Sequence, residues 1–192
     1  MKTRVPAALM AASIVAFALL SPAFAQDKPR SGGELIFLVP SEPPSYDGHK
    51  EGTFGVVHPL APHYNTLLRV DPTDRTGTKV VGDLAESWTI SPDGLVYTLK
   101  LRPGVRFQDG SVMTSRDAKA SYDKIVFPPA ETSSYRKGQY RAVEVIEAPD
   151  ASTIRVRLKW PEASFLMTLA SPYSWIYKAD IPRRTSAGTR RT

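Results

Sequence analysis

The 192-residue chain contains no cysteine. That excludes a disulfide framework and thiolate metal sites, and it leaves no cysteine to carry an N-terminal lipid. Stability has to come from a packed core. Histidine is scarce: only His49, His58 and His63 are present. His58 and His63 stand five apart with Pro59 and Pro62 between them, a poor spacing for two imidazoles on one helical face. Surface or capping roles are expected for the histidines, with no metal and no cofactor. There is no Gly-x-Ser-x-Gly elbow and no glycine loop suited to phosphate. Asp83, Glu86, Asp93, Asp109 and Asp117 each fall at a turn or helix start, where carboxylates cap backbone N–H groups. No enzyme is expected from this inventory.

A second long apolar run is also missing. The one present, Ala7 to Leu20, follows Lys2 and Arg4 and precedes Ala23-Phe24-Ala25. This is the layout of a secretory signal peptide over residues 1–25, with the mature chain starting at Gln26. The run is short of the ~20 residues that a membrane span needs. The expectation is an exported, soluble, untethered protein.

The formal net charge of +6 suggests nucleic acid until it is located. Lys2 and Arg4 belong to the leader, and Arg183, Arg184, Arg190 and Arg191 to the last ten residues. The remaining 19 basic residues face 19 acidic ones, all within 26–182. A body of zero net charge has no electrostatic footprint for nucleic acid.

Residues 34–39 form a continuous apolar run, read as a strand buried on both faces. It runs into PSEPPSYDG, whose three prolines exclude helix or central strand and predict a rigid loop. Val56, Val57, Leu60, Tyr64, Leu67 and Leu68 recur at helical spacing and predict a helix broken by prolines. Residues 78–81 read as a short strand. Trp88–Ile90 and Leu95–Leu101 alternate around Ser91-Pro92-Asp93-Gly94, a type I turn, and so predict a hairpin. Pro103-Gly104 fits a type II turn. Thr114 to Asp117 resembles a capping box opening a helix with Ala118, Tyr122, Ile125 and Val126 on one face. Residues 143–146 and 153–158 predict a second hairpin, turning at 148–151. Pro161 opens a short helix carrying Phe165, Leu166 and Leu169, and residues 172–177 read as the start of another strand. Trp88, Tyr97 and Phe107 are read as core. The fold class is mixed α+β (α/β), with two hairpins and short helices.

GGELIFLVPSEPPSYDG, then VVGDLAESWTISPDGLVYTLKLRPGVRFQDGSVMTSRDAKASYDKI, then VEVIEAPDASTIRVRLKWPEASFLMTLA follow one another in this order. The chain thereby resembles the family 5 solute-binding proteins of bacterial ABC importers, over roughly residues 32 to 181. The block from Asp83 to Asp117 carries the most specific part of the resemblance. Members are much longer and fold as two lobes that close on a ligand. The resemblance implies the N-terminal part of that periplasmic-binding-protein-like fold. Residues 26–45 would hold a leader and the first strand of the main lobe. Residues 46–182 would hold a small subdomain and the start of the return to the main lobe. Residues 183–192 would form a disordered basic tail. After Pro182 the text RRTSAGTRRT departs from the family pattern, as a truncated or frameshifted reading would.

The resemblance further implies a monomeric periplasmic protein that captures a peptide or similar small solute and delivers it to an ABC permease. The loop after the first strand would line the cleft, which singles out Ser41, Glu42, Pro43, Pro44 and Tyr46 as ligand-binding candidates. The alternative is a non-binding fragment or interaction module with no transport role.

Overall fold

A computed structural model describes residues 31–34, 36–39 and 41–179. The signal peptide and basic tail expected from the sequence lie outside these residues. The chain divides into two compact units, Met1–Phe37 and Leu38–Thr192. In the first, residues 31–34, 36 and 37 carry no regular structure, and Gly32 and Gly33 have φ of 87° and 98°.

The second unit is built around a four-stranded antiparallel sheet. Its strands are β3 (Ala85–Ile90), β4 (Val96–Leu101), β5 (Val143–Asp150) and β6 (Thr153–Leu158). Their spatial order is β3-β4-β6-β5. Both predicted hairpins form. Trp88 opposes Leu99 in the first, and Ile146 opposes Val156 in the second. The turn between β3 and β4 closes with the Gly94 amide donating to the Ser91 carbonyl at 2.8 Å, and Gly94 takes a φ of 71°. Asp93 Oδ1 accepts from the Leu95 amide at 3.0 Å, fixing the exit into β4. The two inner strands then pair, Leu99 against Ile154, and make one sheet of two hairpins. β5 runs on through Pro149, so the second turn lies at residues 151 and 152 instead of 148–151. Pro149 sits in a register shift between Glu147 and Asp150, where a missing N–H costs the ladder nothing.

Helix α2 (Ser115–Val126) covers one face of the sheet. The Asp117 carboxylate accepts from the Thr114 amide at 2.8 Å and the Thr114 hydroxyl at 3.0 Å, the reaching-back half of a capping box. Ala118, Tyr122, Ile125 and Val126 are all buried in the main core, as expected. With them lie Tyr97, Leu99, Leu101, Ile154, Val156 and Phe165. Trp88 and Phe107 pack half-buried against this core. The short helix α3 (Phe165–Leu169) buries Phe165 and Leu169. A two-stranded ribbon pairs β1 (Leu68–Val70) with β2 (Val80–Gly82).

Three expectations fail. The run 34–39 forms no strand at its described positions, and Ile36 and Leu38 are 83% and 97% exposed. A strand needs a neighbouring ladder, and no strand among the described residues pairs with this run. The helix expected over 56–68 is α1 (Phe54–Leu60) alone. Pro62 supplies no N–H to carry it on, and Leu68 joins β1. Residues 172–177 are irregular, yet Tyr173, Trp175, Ile176 and Tyr177 are buried. Their amides are satisfied singly: Ile176 donates to the Asn65 carbonyl at 3.0 Å and Tyr177 to the Ser121 hydroxyl at 2.8 Å.

The exposed run makes a solubility prediction. An unpaired stretch of four apolar side chains invites self-association. The double substitution Ile36→Lys and Leu38→Lys should reduce concentration-dependent light scattering several-fold. Unchanged scattering would locate the sticky surface elsewhere.

Candidate functional site

The proline loop stands on a fixed base. Ser41, Glu42, Pro44 and Tyr46 are exposed, Tyr46 at 71%, and Pro43 is half-buried. The loop backbone crosses the first turn of α1 at Gly55. A methyl group there would meet the Ser41 carbonyl at 2.8 Å and the Ser41 hydroxyl at 2.7 Å, so the crossing requires a residue without a side chain.

The base begins at Ser45. Its hydroxyl donates to Glu51 Oε1 at 3.0 Å and accepts the Asp47 amide at 3.3 Å. The Asp47 carbonyl accepts from the amides of Lys50 and Glu51, closing a turn. The Asp47 side chain then ties this turn to the sheet-covering helix. Its Oδ2 lies 2.6 Å from Nζ of Lys124 on α2, and the two side chains are 16% and 9% exposed. Its Oδ1 accepts from the His49 amide at 3.2 Å.

Below the turn lies a second, smaller core of Val56, Val57, Leu60, Tyr173, Trp175 and Tyr177, with Tyr64 against it. Gly48 touches it directly, because a methyl at that position would fall 2.0 Å from the Trp175 ring. His49 is 1% exposed. The surface or capping role expected for it is therefore wrong: its ring is a core element, sandwiched by a local turn and a segment far along the chain. Nε2 lies 2.8 Å from the Trp175 carbonyl. A carbonyl only accepts, so Nε2 carries the proton and Nδ1 is left bare, with no hydrogen-bond partner. Burial, aided by the nearby Lys124 ammonium, pushes the His49 pKa down from 6.5 to about 4, against the raising effects of the Trp175 carbonyl and Asp47. Burial also pushes the Tyr177 hydroxyl up, and its ring lies 4.5 Å from that of His49.

The other two histidines are exposed. His58 stacks on Phe54 with ring centroids 5.5 Å apart, and the His63 carbonyl accepts from Gln108. Asp83, Asp93, Asp109 and Asp117 do what turn chemistry predicts, whereas Glu86, expected at a turn or helix start, lies exposed within β3. Asp83 accepts from Asn65 and Thr66, Asp109 from Ser111 and Lys178, and Asp117 also from the Ala179 amide at 2.9 Å.

The arrangement thus presents Ser41, Glu42, Pro44 and Tyr46 as exposed residues of a ridge on an anchored turn, with Pro43 and Ser45 half-buried. It presents hydrogen-bonding groups and one aromatic ring. The anchors themselves were not named from the sequence. Lys124 lies 77 residues from Asp47, and Trp175 lies 126 from His49. The one local signal was the Tyr46-Asp47-Gly48 turn itself.

Comparison with known proteins agrees with this fold. The family model described as bacterial extracellular solute-binding proteins, family 5 Middle, matches residues 79–190. That span includes the whole Asp83–Asp117 block and runs past Pro182, where the sequence was read as leaving the family pattern. The glutathione-binding protein GsiB of Escherichia coli is 39% identical over 94 residues, 49% of this chain and 18% of that protein. GsiB of Pectobacterium atrosepticum is 37% identical over 94 residues, with the same coverage of 49% and 18%. Among solved structures, AgaA of A. tumefaciens in complex with agropinic acid is 28% identical with a TM-score of 0.67, covering 78% of this chain and 29% of that one. DppA of Helicobacter pylori in complex with the peptide STSA is 27% identical with a TM-score of 0.60, covering 74% and 30%. The chain therefore spans 18% of the length of the curated relatives it matches. With more than half of its residues matched, the chain belongs to the bacterial extracellular solute-binding proteins, family 5.

Proposed function

We propose that this chain supplies one wall of the solute cleft in the periplasmic component of an ABC importer, with a peptide or similar small solute as ligand. In this reading residues 1–25 direct export and are removed. The mature protein is free and monomeric in the periplasm, and an ABC permease is its transient partner. It binds and delivers; it does not catalyse. Ser41, Glu42, Pro43, Pro44 and Tyr46 are the contact residues.

The observation that carries this reading is the exposed 41–46 ridge on a base held by the Asp47–Lys124 pair. Backbone groups outside a ladder remain available to pair with an extended ligand in strand-like fashion. One wall alone leaves most of a ligand in water, so binding by this chain is weak.

Amide NMR titration with di- to pentapeptides tests it. The expected result is shifts confined to residues 41–46 with an affinity weaker than micromolar, reduced at least threefold by Tyr46→Ala. Shifts located elsewhere would remove the loop from the site, and sub-micromolar binding would refute the single-wall reading. Absence of any shift at millimolar peptide would favour a non-binding fragment.

A further inference from the structure

The described residues form two cores that share no residue, and the turn beneath the 41–46 ridge is seated on the smaller one. Two polar ties run from this turn to distant parts of the chain. The Asp47 carboxylate meets the Lys124 ammonium at 2.6 Å, and His49 Nε2 meets the Trp175 carbonyl at 2.8 Å. The surface that receives the turn keeps its own anchors. Ile176 donates to the Asn65 carbonyl at 3.0 Å, Tyr177 to the Ser121 hydroxyl at 2.8 Å and Ala179 to Asp117 Oδ1 at 2.9 Å. The turn and α1 can therefore lift from residues 173–177 without disturbing the sheet, a local opening of the kind that low-stability units make.

One ring decides whether that seat holds. The His49 side chain is buried, and its fit depends on a single proton. With Nε2 protonated it donates to Trp175, and bare Nδ1 has no partner. A second proton would put a charge in the core with no acceptor for the new N–H. The neighbouring groups do not offset that cost. Lys124 on α2 repels an imidazolium, and Asp47 on the same turn attracts it less strongly. Glu51 on that turn is bonded to the Ser45 hydroxyl, and Lys50 is exposed. Residues 173–177 bring the Tyr177 ring, 4.5 Å away, and Tyr173, whose ring carries the Arg136 guanidinium at 3.9 Å. Tyr64 sits edge-on to Tyr177 at 4.8 Å. From α1 come Val56, Val57 and Leu60, while its His58 is exposed.

We propose that His49 is an acid-operated latch: protonation of its ring frees the 45–51 turn and α1 from residues 173–177, with the four-stranded sheet still folded, and thereby releases a solute held on the 41–46 ridge. The release rests on the solute-wall reading above; the latch itself does not. Opening exposes the ring to water, where it takes up a proton near pH 6.5, whereas the seated ring resists protonation down to about pH 4. Between pH 7.5 and pH 5 the equilibrium therefore moves toward the open form by about 25-fold.

Thiol labelling tests it, because the chain has no cysteine of its own. Val56→Cys places a thiol in the small core, at 0% exposure, and Val156→Cys one in the main core, at 2%. Each is labelled with dithiodipyridine, and its rate is divided by that of the same variant unfolded in urea at the same pH. Labelling at Val56→Cys should rise about 25-fold from pH 7.5 to pH 5, while Val156→Cys stays at least tenfold slower at both. Adding His49→Gln, which can still donate to the Trp175 carbonyl but takes up no proton, should hold the rise below twofold. Hydrogen exchange at the Val57 and Ala61 amides, bonded to the Thr53 and Val57 carbonyls, reports the same opening with no substitution in the core. Equal labelling at the two positions would mean that acid acts through global unfolding alone, and it overturns the proposal. So does a rise that persists with His49→Gln. Neither readout needs a solute, so the latch stands or falls whatever the peptide titration gives. Where peptide binds at pH 7.5, its affinity should fall in step with the opening; an affinity unchanged at pH 5 overturns the release.

Discussion

Lys124→Met should lower the unfolding free energy by about 3–5 kcal/mol. The side chain of Lys124 is 9% exposed and its ammonium sits 2.6 Å from Asp47 Oδ2, so removing it strands a carboxylate that is itself mostly covered. The penalty is the desolvation of an unpaired charge, which exceeds the worth of the contact. Asp47→Asn combined with Lys124→Met should cost clearly less than the sum of the single changes, since no charge is then stranded. Urea unfolding of the four proteins measures this. A cost below about 1 kcal/mol for Lys124→Met would place the pair with ordinary surface ion pairs. The functional signature is local: amides 47–51 should exchange with solvent faster in Lys124→Met, because the turn that carries the 41–46 ridge loses its tie to α2.

The second large effect is a loss of stability on mild acidification. The His49 pKa is about 4 in the folded chain and 6.5 when unfolded, so between these values only the unfolded state takes up the proton. Stability is therefore full above pH 6.5 and falls as the pH drops toward 4, by about 3 kcal/mol in total for this group. The physical cause is burial, with the Lys124 ammonium acting in the same direction and Asp47 against it. Protonation would also put a second N–H on Nδ1, where no acceptor waits. The carboxylates act lower. Asp74 is held at about 2 by the Thr76 hydroxyl and by the amides of Lys79 and Thr76. The Lys79 ammonium and the Thr73 groups hold Asp71 well below its usual range. Their contributions are lost only below about pH 4. His49→Gln should flatten the slope between pH 6.5 and 4 and leave the acid limb in place. An unchanged slope in that variant would assign the effect to another group.

What the sequence revealed was what neighbouring residues decide among themselves. Alternation from Leu95 to Leu101, the Ser91–Gly94 turn and the Thr114–Asp117 cap are settled within a few residues, and all three form. The union of the two hairpins through Leu99 and Ile154 is not local, and no pattern announced it. The run 34–39 was misread because apolar continuity reports a capacity to be buried, while pairing depends on a partner strand. Leu67 and Leu68 fell on helical phase by coincidence and are buried in and beside β1. Residues 173–177 look like a strand by composition, but they are fixed by scattered single bonds to Asn65 and Ser121. The prolines flagged the 41–46 loop. What holds it, Lys124 and Trp175, lies too far along the chain for spacing to report.

The small core around Trp175 also sets an order of events. Its two halves are α1 with the turn before it, among the first described residues, and 173–177, among the last. The hairpins and α2 lie within residues 85–158 and can assemble without either half. The face formed by Val56, Val57 and Leu60 cannot, and it stays open until Trp175 arrives, whatever the speed of the local steps. The turn that precedes that helix therefore becomes rigid only once residues 173–177 have docked, although it lies early in the chain.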